Sequence, residues 1–278
     1  MKTWKQFPKA EGIARYIECY WFLEKTLHDR CFSYPKLNPD PTAHLILTHR
    51  QSIHTYKNQH SCQEVTGNHW IFPHLTTFTM NHAAPFKIIG IKFKVGALYS
   101  VKFGHHTILN EIRHADTQNL FNLSEFNQDK ILCHAEQHED QIGQLLDTVL
   151  EPWLSKHRED RNSLLAHQIL TLLDDMTITE MGGKLHRSQR TLERTFKKVT
   201  GLSMKQVQSM NRLENILNHL HKLTKEEINW ADIAKKYDFS DQAHLIRHLK
   251  DSIGSTPSHY SENRDLAIDI YGIFEFNS

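Results

Sequence analysis

Residues 229–260 read NWADIAKKYDFSDQAHLIRHLKDSIGSTPSHY. The spacing predicts two short helices joined by a tight turn. Trp230–Tyr237 forms the first, with Ile233 and Ala234 inward; Ala234 is small where two helices cross closely. Asp238 falls in the turn, where a left-handed backbone is needed and Asp tolerates it better than most residues. Ser240 is the expected N-cap of a helix over Asp241–Ile253. Leu245 and Leu249 point inward there, leaving Gln242, His244, Arg247 and Lys250 outward. Gly254 and Pro257 stop the chain from continuing as helix. Gln pairs bidentately with adenine and Arg with guanine, so the outward face suits base edges in a DNA major groove.

A weaker copy lies upstream at 178–201. Ile178–Leu185 is followed by a turn at His186-Arg187, Ser188 as N-cap, and a helix over Gln189–Val199 that buries Leu192, Phe196 and Val199. Arg190, Glu193, Arg194 and Lys197 remain outside, and Thr200-Gly201 is the stop. From 184 to 212 there are eight Lys/Arg against one acid, Glu193, an imbalance that concentrates positive potential for phosphates. Ser203–Leu220 reads as one connecting helix, with Val207, Met210, Leu213, Ile216, Leu217 and Leu220 on one side. Its 18 residues span roughly 27 Å at ~1.5 Å per residue. Successive major-groove faces lie ~34 Å apart, so the bodies of the two units, or a bend in the duplex, must supply the rest.

The whole chain of 278 residues has a net charge of +1, with 39% hydrophobic and 23% charged residues. That is an ordinary globular composition long enough for two domains, and any nucleic-acid surface has to be a local patch. Cys19, Cys31, Cys62 and Cys133 form no CxxC pair and read as reduced thiols. No apolar run is long enough to span a bilayer, and the N-terminus lacks the apolar core of a signal peptide. The expectation is a cytoplasmic, nucleoid-associated protein with no membrane partner. The 21 histidines are dispersed. His60, Cys62, His69, His74 and His82 match no tight zinc spacing, and His105-His106 is equally unspecific, so neither metal nor cofactor is expected.

The first 110 residues are strand-rich. His44–Thr48 and Phe86–Phe93 are β-branched or aromatic runs bounded by turn residues, and Asn38-Pro39-Asp40-Pro41 is a rigid turn. Glu11–Trp21 starts as a short helix and continues as a strand, and a helix begins within Val95–Phe103. Ile142, Leu145, Leu146, Val149, Leu150 and Trp153 share one face of a helix that either covers the sheet or pairs with a second copy, the latter being favoured. The charged stretch Ser155–Asn162 is the expected linker, and Leu164–Leu173 opens the helical half.

The second unit resembles the C-terminal signature of the AraC family of bacterial transcription regulators. The matching residues are Ile233, Ala234, Phe239, Ser240, Asp241, Gln242, Arg247, Lys250, Gly254, Pro257 and Tyr260. The first unit is similar at Leu185, Ser188, Arg190, Leu192, Arg194, Phe196, Lys197, Gly201 and Leu202, and Arg212 fits the connector helix. Departures are Gly182 for the usual Ala, Asp238 for a turn Gly, and Leu245 and Leu249 for a Phe pair. Gly182-Gly183 is expected to weaken its helix by roughly 1 kcal/mol per glycine. More loosely, Tyr16–Trp21, the Pro-Asp turn before Leu45-Ile46-Leu47, Gly67, and Gly90–Phe93 with Gly96 resemble the sensor domain ahead of this module in some members.

The resemblance implies an α+β chain. Residues 1–155 would be a strand-rich sensor and dimerisation domain, cupin-like or a related α/β barrel, with flanking helices. Residues 162–265 would be all-α, with units at 178–201 and 230–254 joined by the linker helix. DNA contacts are expected from Ser188, Gln189, Arg190, Glu193, Arg194 and Lys197, and from Asp241, Gln242, His244, Arg247 and Lys250. Implied partners are promoter or operator DNA, a small-molecule effector, a second copy forming a homodimer, and RNA polymerase for an activator. Trp21, Phe93 and Tyr99 are candidate pocket residues, although such residues are more often plain core. Lys92 and Lys94 are candidate cations for an anionic ligand. Two alternatives stand beside this reading. A DNA-repair enzyme fused to the same module needs a reactive Cys or a base-flipping pocket; no Cys has a Pro-Cys-His setting, so no catalytic residue is assigned. A regulator controlled by a protein partner needs no small ligand.

Overall fold

The computed structural model describes residues 1–29, 33–59, 61–103, 108–122 and 126–267. Cys31, His60, His105 and His106 lie outside them. The first half runs β1 (Lys2–Gln6), α1 (Glu11–Ala14), β2 (Ile17–Lys25), β3 (Lys36–Leu37), β4 (His44–Thr48), β5 (Ile53–Lys57), β6 (Cys62–Thr66), β7 (His69–Ile71), β8 (Phe78–Met80) and β9 (Phe86–Phe93). It continues with α2 (Ala97–Ser100), β10 (Ile112–His114), α3 (Thr117–Phe121), α4 (Gln128–Gln137) and α5 (Glu139–Leu154). Among the described residues the strands form two antiparallel sheets, ordered β1-β2-β9-β4-β7-β10 and β3-β8-β5-β6.

The larger sheet is covered on both faces, which is why β9 reads FKIIGIKF rather than as a clean alternation. Leu23, Ile46, Ile71 and Ile88 pack against Tyr56, Val65, Phe78 and Met80 of the smaller sheet. On the opposite face Tyr20, Phe22, Leu45, Ile89 and Ile91 meet Leu132, Ile142, Leu146, Leu150 and Trp153 of α4 and α5. The apolar face of α5 expected to pair with a second copy therefore covers the chain's own sheet. Asp147 fixes it there, accepting hydrogen bonds from Tyr20 Oη (2.6 Å), Lys9 N (2.8 Å) and Ala10 N (2.9 Å).

Trp21 lies across Gly90 in the paired strand, and a Cβ at Gly90 would sit 1.9 Å from Trp21 Cε2. His69 Nδ1 donates to Gly67 O, leaving Nε2 to accept from Tyr56 Oη, both at 2.7 Å. His74 lies against the Asn38 and Phe72 carbonyls. Lys25 Nζ bridges to the carbonyls of His82 (2.5 Å) and Ala83 (3.3 Å). At the far edge, Gln63 joins the sheets through Asn110 O and Ile112 N.

The second half is helical: α6 (Arg161–Leu170), α7 (Ile178–Leu185), α8 (Gln189–Thr200), α9 (Met204–His221), α10 (Trp230–Lys236), α11 (Gln242–Ile253) and α12 (Pro257–Asn263). The connector α9 serves two cores. Met204, Val207 and Met210 pack with α6, α7 and α8, whereas Leu213, Ile216, Leu217 and Leu220 pack with α10, α11 and α12. The guanidinium of Arg264 donates to the carbonyls of Leu220 (2.8 Å) and Leu223 (2.9 Å), adding to the capping of the end of α9.

Contacts between the halves include one at the end of α8 and one past α12. Gly96, at φ +79°, approaches α8 so closely that a Cβ would lie 2.8 Å from Val199 Cγ1. Past α12, Leu266 pairs with Lys36 of β3 in a parallel bridge. There Lys36 Nζ meets Asp265 Oδ2 at 2.6 Å and Ser255 Oγ at 3.1 Å, and Thr77 Oγ1 donates to Ser252 O at 2.6 Å.

Candidate nucleic-acid interface

Each unit buries one side of its second helix and leaves the other open. In α8, Leu192, Thr195, Phe196 and Val199 are buried. Ser188, Gln189, Arg190, Glu193, Arg194 and Lys197 are exposed. In α11, Leu245, Leu249 and Ile253 are buried, while Asp241, Gln242, His244, Arg247 and Lys250 are exposed. All eleven residues singled out in the sequence thus lie on the solvent side of their helices.

The turns are built as the sequence predicts. Asp238 adopts φ +56° between α10 and α11. In the first unit His186 takes the left-handed position at φ 50° and ends α7. Gly182 has a reason the sequence did not show: a Cβ there would lie 3.0 Å from Arg187 O, in the turn that packs back on it. The same turn is closed by Arg187 N donating to Gly182 O at 3.0 Å.

The helix starts differ in one respect from expectation. Ser188 caps α8, its side chain accepting from Thr191 N. The cap of α11 is Asp241 rather than Ser240, with Oδ1 accepting from His244 N at 2.7 Å. A carboxylate is the better cap because it also meets the positive end of the helix dipole. That backbone hydrogen bond leads the causes that hold the Asp241 carboxyl below the usual carboxylate range. Ser240 Oγ instead lies 3.3 Å from His244 Nδ1. Asp241 is thereby committed to the helix start.

The outward residues sort by their existing contacts. Gln189 Nε2 donates to Glu193 Oε1 at 2.9 Å, so these two form an internal pair on the helix surface. The His244 ring stands edge-on to Phe239 at 5.1 Å. Arg247 lies within electrostatic reach of Asp241 without closing an ion pair among the described residues. Arg190, Arg194, Lys197 and Lys250 are exposed cations on the open faces. Arg212 of α9 places its guanidinium 5.4 Å from the Phe239 ring centre, tying the connector to the turn of the second unit.

The candidate pocket residues are not brought together. Phe93 is buried on the helix-covered side of the large sheet, Trp21 lies half-buried across Gly90 on its other face, and Tyr99 faces the helical half, where Lys198 Nζ lies 5.8 Å over its ring. Lys92 is spent on Glu18 at 2.8 Å. Burial disfavours its charge, but Asp40, Glu18 and Glu214 outweigh burial and raise its pKa. Among the described residues, no group of three His, Cys, Asp or Glu is placed to hold a metal ion. No described helix is long and apolar enough to cross a membrane.

Residues 181–263 match a family model described as a helix-turn-helix domain, and residues 5–105 match a domain of unknown function, DUF6597. No curated protein matches the sequence. Among solved structures, the chain is similar to an apo variant of ToxT from Vibrio cholerae, with 11% identity, 92% of this chain and 99% of that chain covered, and a TM-score of 0.48. Wild-type ToxT with an unsaturated fatty acid bound gives 12% identity over 92% of this chain and 96% of that one, with a TM-score of 0.43. The AraC-like transcriptional activator CuxR gives 11% identity over 77% of this chain and 86% of that one, with a TM-score of 0.30.

Proposed function

We propose that this chain, whose C-terminal region is a helix-turn-helix domain of the AraC type, is a sequence-specific DNA-binding transcription regulator. In this reading α8 and α11 enter the major groove, and the sheet-bearing half, residues 1–155, carries the response to a small effector. The observation that supports it is the division of both helices into a buried apolar side and an open side bearing Arg190, Arg194, Gln242 and Arg247. Gln and Arg side chains held clear of the protein are the groups that pair bidentately with adenine and guanine. Lys197 and Lys250 supply phosphate contacts, which position the protein without reading sequence. The two paired residues Gln189 and Glu193 gain base contacts only by exchanging their own hydrogen bond.

The test is binding of the full chain to DNA fragments selected from a random pool, followed by the same measurement on Arg194→Ala and Arg247→Ala. Each variant loses about 1–3 kcal/mol of affinity for selected fragments, with relaxed preference at the base it reads. Lys250→Ala lowers affinity across all sequences and reduces the slope of log K against log salt by about one. Unchanged affinity and salt slope in both Arg variants would rule this surface out.

A further inference from the structure

The two helix-turn-helix units differ in charge. Residues 178–201 carry six Lys/Arg against two acids, whereas residues 229–254 carry four against four. The first unit therefore meets a polyanion with a net positive field, and the second has none to offer while its histidines are neutral. Two of those histidines, His244 and His248, lie one turn apart on α11. Together with Arg212 of the connector α9 they surround one buried ring, that of Phe239 in the turn. The Arg212 guanidinium stands 5.4 Å from the ring centre, the His248 imidazole 5.3 Å, and the His244 imidazole, edge-on, 5.1 Å.

Two of these basic groups are open. His248 Nε2 is buried without a hydrogen-bond partner. Arg212 is exposed and closes no ion pair among the described residues. The charged and titratable groups that face His248 are Arg212 from α9 and His244 and Asp251 from α11. Burial first, then Arg212 and His244, hold its pKa below the ordinary 6.5 against the pull of Asp251, so the free chain keeps this ring neutral. His244 faces Ser240 Oγ and Asp241, whose carboxylate is committed to the start of α11. Buried ring nitrogens are ordinarily satisfied, and one left open beside a free guanidinium is short of a partner. On the flank of a helix that lies in the major groove, the partner at hand is a backbone phosphate.

We propose that the second unit takes up protons at His248 and His244 as it closes on DNA, and that the two imidazolium rings and Arg212 grip a backbone phosphate at the seam between α9 and α11. The inference rests on the DNA-binding reading above and adds a condition to it. A phosphate at the seam favours the charged ring, so bound chain holds each proton to a higher pH than free chain does. Affinity is then lowest above the bound pKa, rises as pH falls between the bound and free values, and levels off below both. For His248 the free value lies below 6.5, so its part of the rise extends into mild acid. At higher pH the first unit holds DNA through its own charge and the second adds little. In mild acid both engage, and the protected stretch of duplex lengthens by one groove.

The experiment titrates the full chain with a DNA fragment selected from a random pool, at constant ionic strength. Calorimetry at pH 6.5 in two buffers of different ionisation heat counts the protons exchanged, and the unaltered chain should take up about half a proton or more on binding. Its affinity should rise about five-fold or more from pH 7.5 to pH 6.0, since a one-unit rise in the pKa of one ring is worth up to about ten-fold. His248→Gln and His244→Gln should each lower the proton count, and the double variant should remove most of it. A ring that only packs against Phe239 would alter the melting temperature and leave that count alone. Arg212→Gln should reduce the slope of log K against log salt by about one. Equal heats in the two buffers, a full proton count in the double variant, or an unchanged salt slope in Arg212→Gln would overturn the grip. A chain that binds selected DNA without taking up protons defeats this inference and leaves the regulator reading standing. One that selects no DNA defeats the regulator reading and this inference with it.

Discussion

Replacing Lys36 with Met tests whether the second helix-turn-helix unit is clipped to the sheet-bearing half by a buried charge. Lys36 Nζ and Asp265 Oδ2 stand 2.6 Å apart, with side chains 20% and 8% exposed. Met keeps the apolar stem and removes the ammonium. Asp265 is then left nearly buried with one oxygen abandoned and the other, Oδ1, already lacking a hydrogen-bond partner. Removing one partner of a fully buried pair costs about 3–5 kcal/mol. The partial exposure of Lys36 screens the charge, and about 2 kcal/mol is the working figure. That is roughly a 30-fold shift between clipped and open forms. Native-state hydrogen exchange reads it at the residue 36 amide, which donates to Asp265 O at 2.8 Å across the clip. Exchange there should quicken roughly 30-fold, while amides in the middle of α8 keep their rates. Adding Asp265→Asn to Lys36→Met should restore most of the loss, because the stranded charge disappears. Unchanged exchange in the single variant, or a double variant as impaired as the sum of the singles, would refute the clip as an electrostatic device.

Further expectations can be measured on the same protein. Gly90→Ala places a methyl 1.9 Å from Trp21 Cε2, so thermal unfolding should show a loss of at least about 1–3 kcal/mol, partly recovered by Trp21→Leu. Asp238→Gly relieves a left-handed backbone at φ +56° and should raise the free energy of unfolding slightly, by about 0.5–1 kcal/mol, without lowering DNA affinity. Acid should unfold the sheet-bearing half. Burial depresses His54 to about 4, and burial with nearby positive charge depresses His69 and His82 to about 3, from an ordinary 6.5. The folded state keeps these rings neutral while the unfolded chain takes up protons below pH 6.5. Their contribution is therefore fully present above that pH and is lost progressively as pH falls toward 4 and then 3. A melting temperature flat from pH 7 to pH 4 would contradict that burial.

The helical half was largely legible because its signals are local. Helix limits at Ile178–Leu185, the left-handed Asp238 and the inward Leu245 and Leu249 follow from periodicity, turn chemistry and capping within one window of sequence. Strands β4 and β9 were equally plain from composition. What escaped depends on pairs far apart in the chain. Nothing near Gly90 says that Trp21 lies across it, nothing near Asp147 says that it holds Tyr20, and nothing near Asp265 names Lys36. The misread capping of α11 is different in kind: Ser240 and Asp241 are both good caps, and the choice between them turns on one residue of register. The approach of Gly96 to Val199 escaped for the same reason, because the two meet only where the halves dock.

Two of the contacts between the halves fall at or just beyond the C-terminal ends of α8 and α11. The last turn of α8 packs on Gly96, and the end of α11 is held through Ser252, Ser255 and Asp265. The N-terminal ends of both helices, where Ser188 and Asp241 sit, remain exposed. A helix entering the major groove presents its N-terminal residues to the bases, so docking from behind is compatible with reading. It also means that α9 does not set the spacing of the two units by itself. The 18 residues of that helix span roughly 27 Å against a groove repeat of ~34 Å, and the sheet-bearing half grips a unit at each side. A change at either grip alters how the units are presented to a duplex without touching a base-reading residue. In the proposed reading, Lys36 of the clip acts on DNA binding by position alone. Its substitution should change DNA affinity and preferred half-site spacing together, whereas Arg194→Ala and Arg247→Ala should change affinity and base preference at constant spacing. Selection of binding sites from a pool with randomised spacing separates the two classes, and identical spacing profiles for Lys36→Met and the unaltered chain would show that α9 alone fixes the geometry.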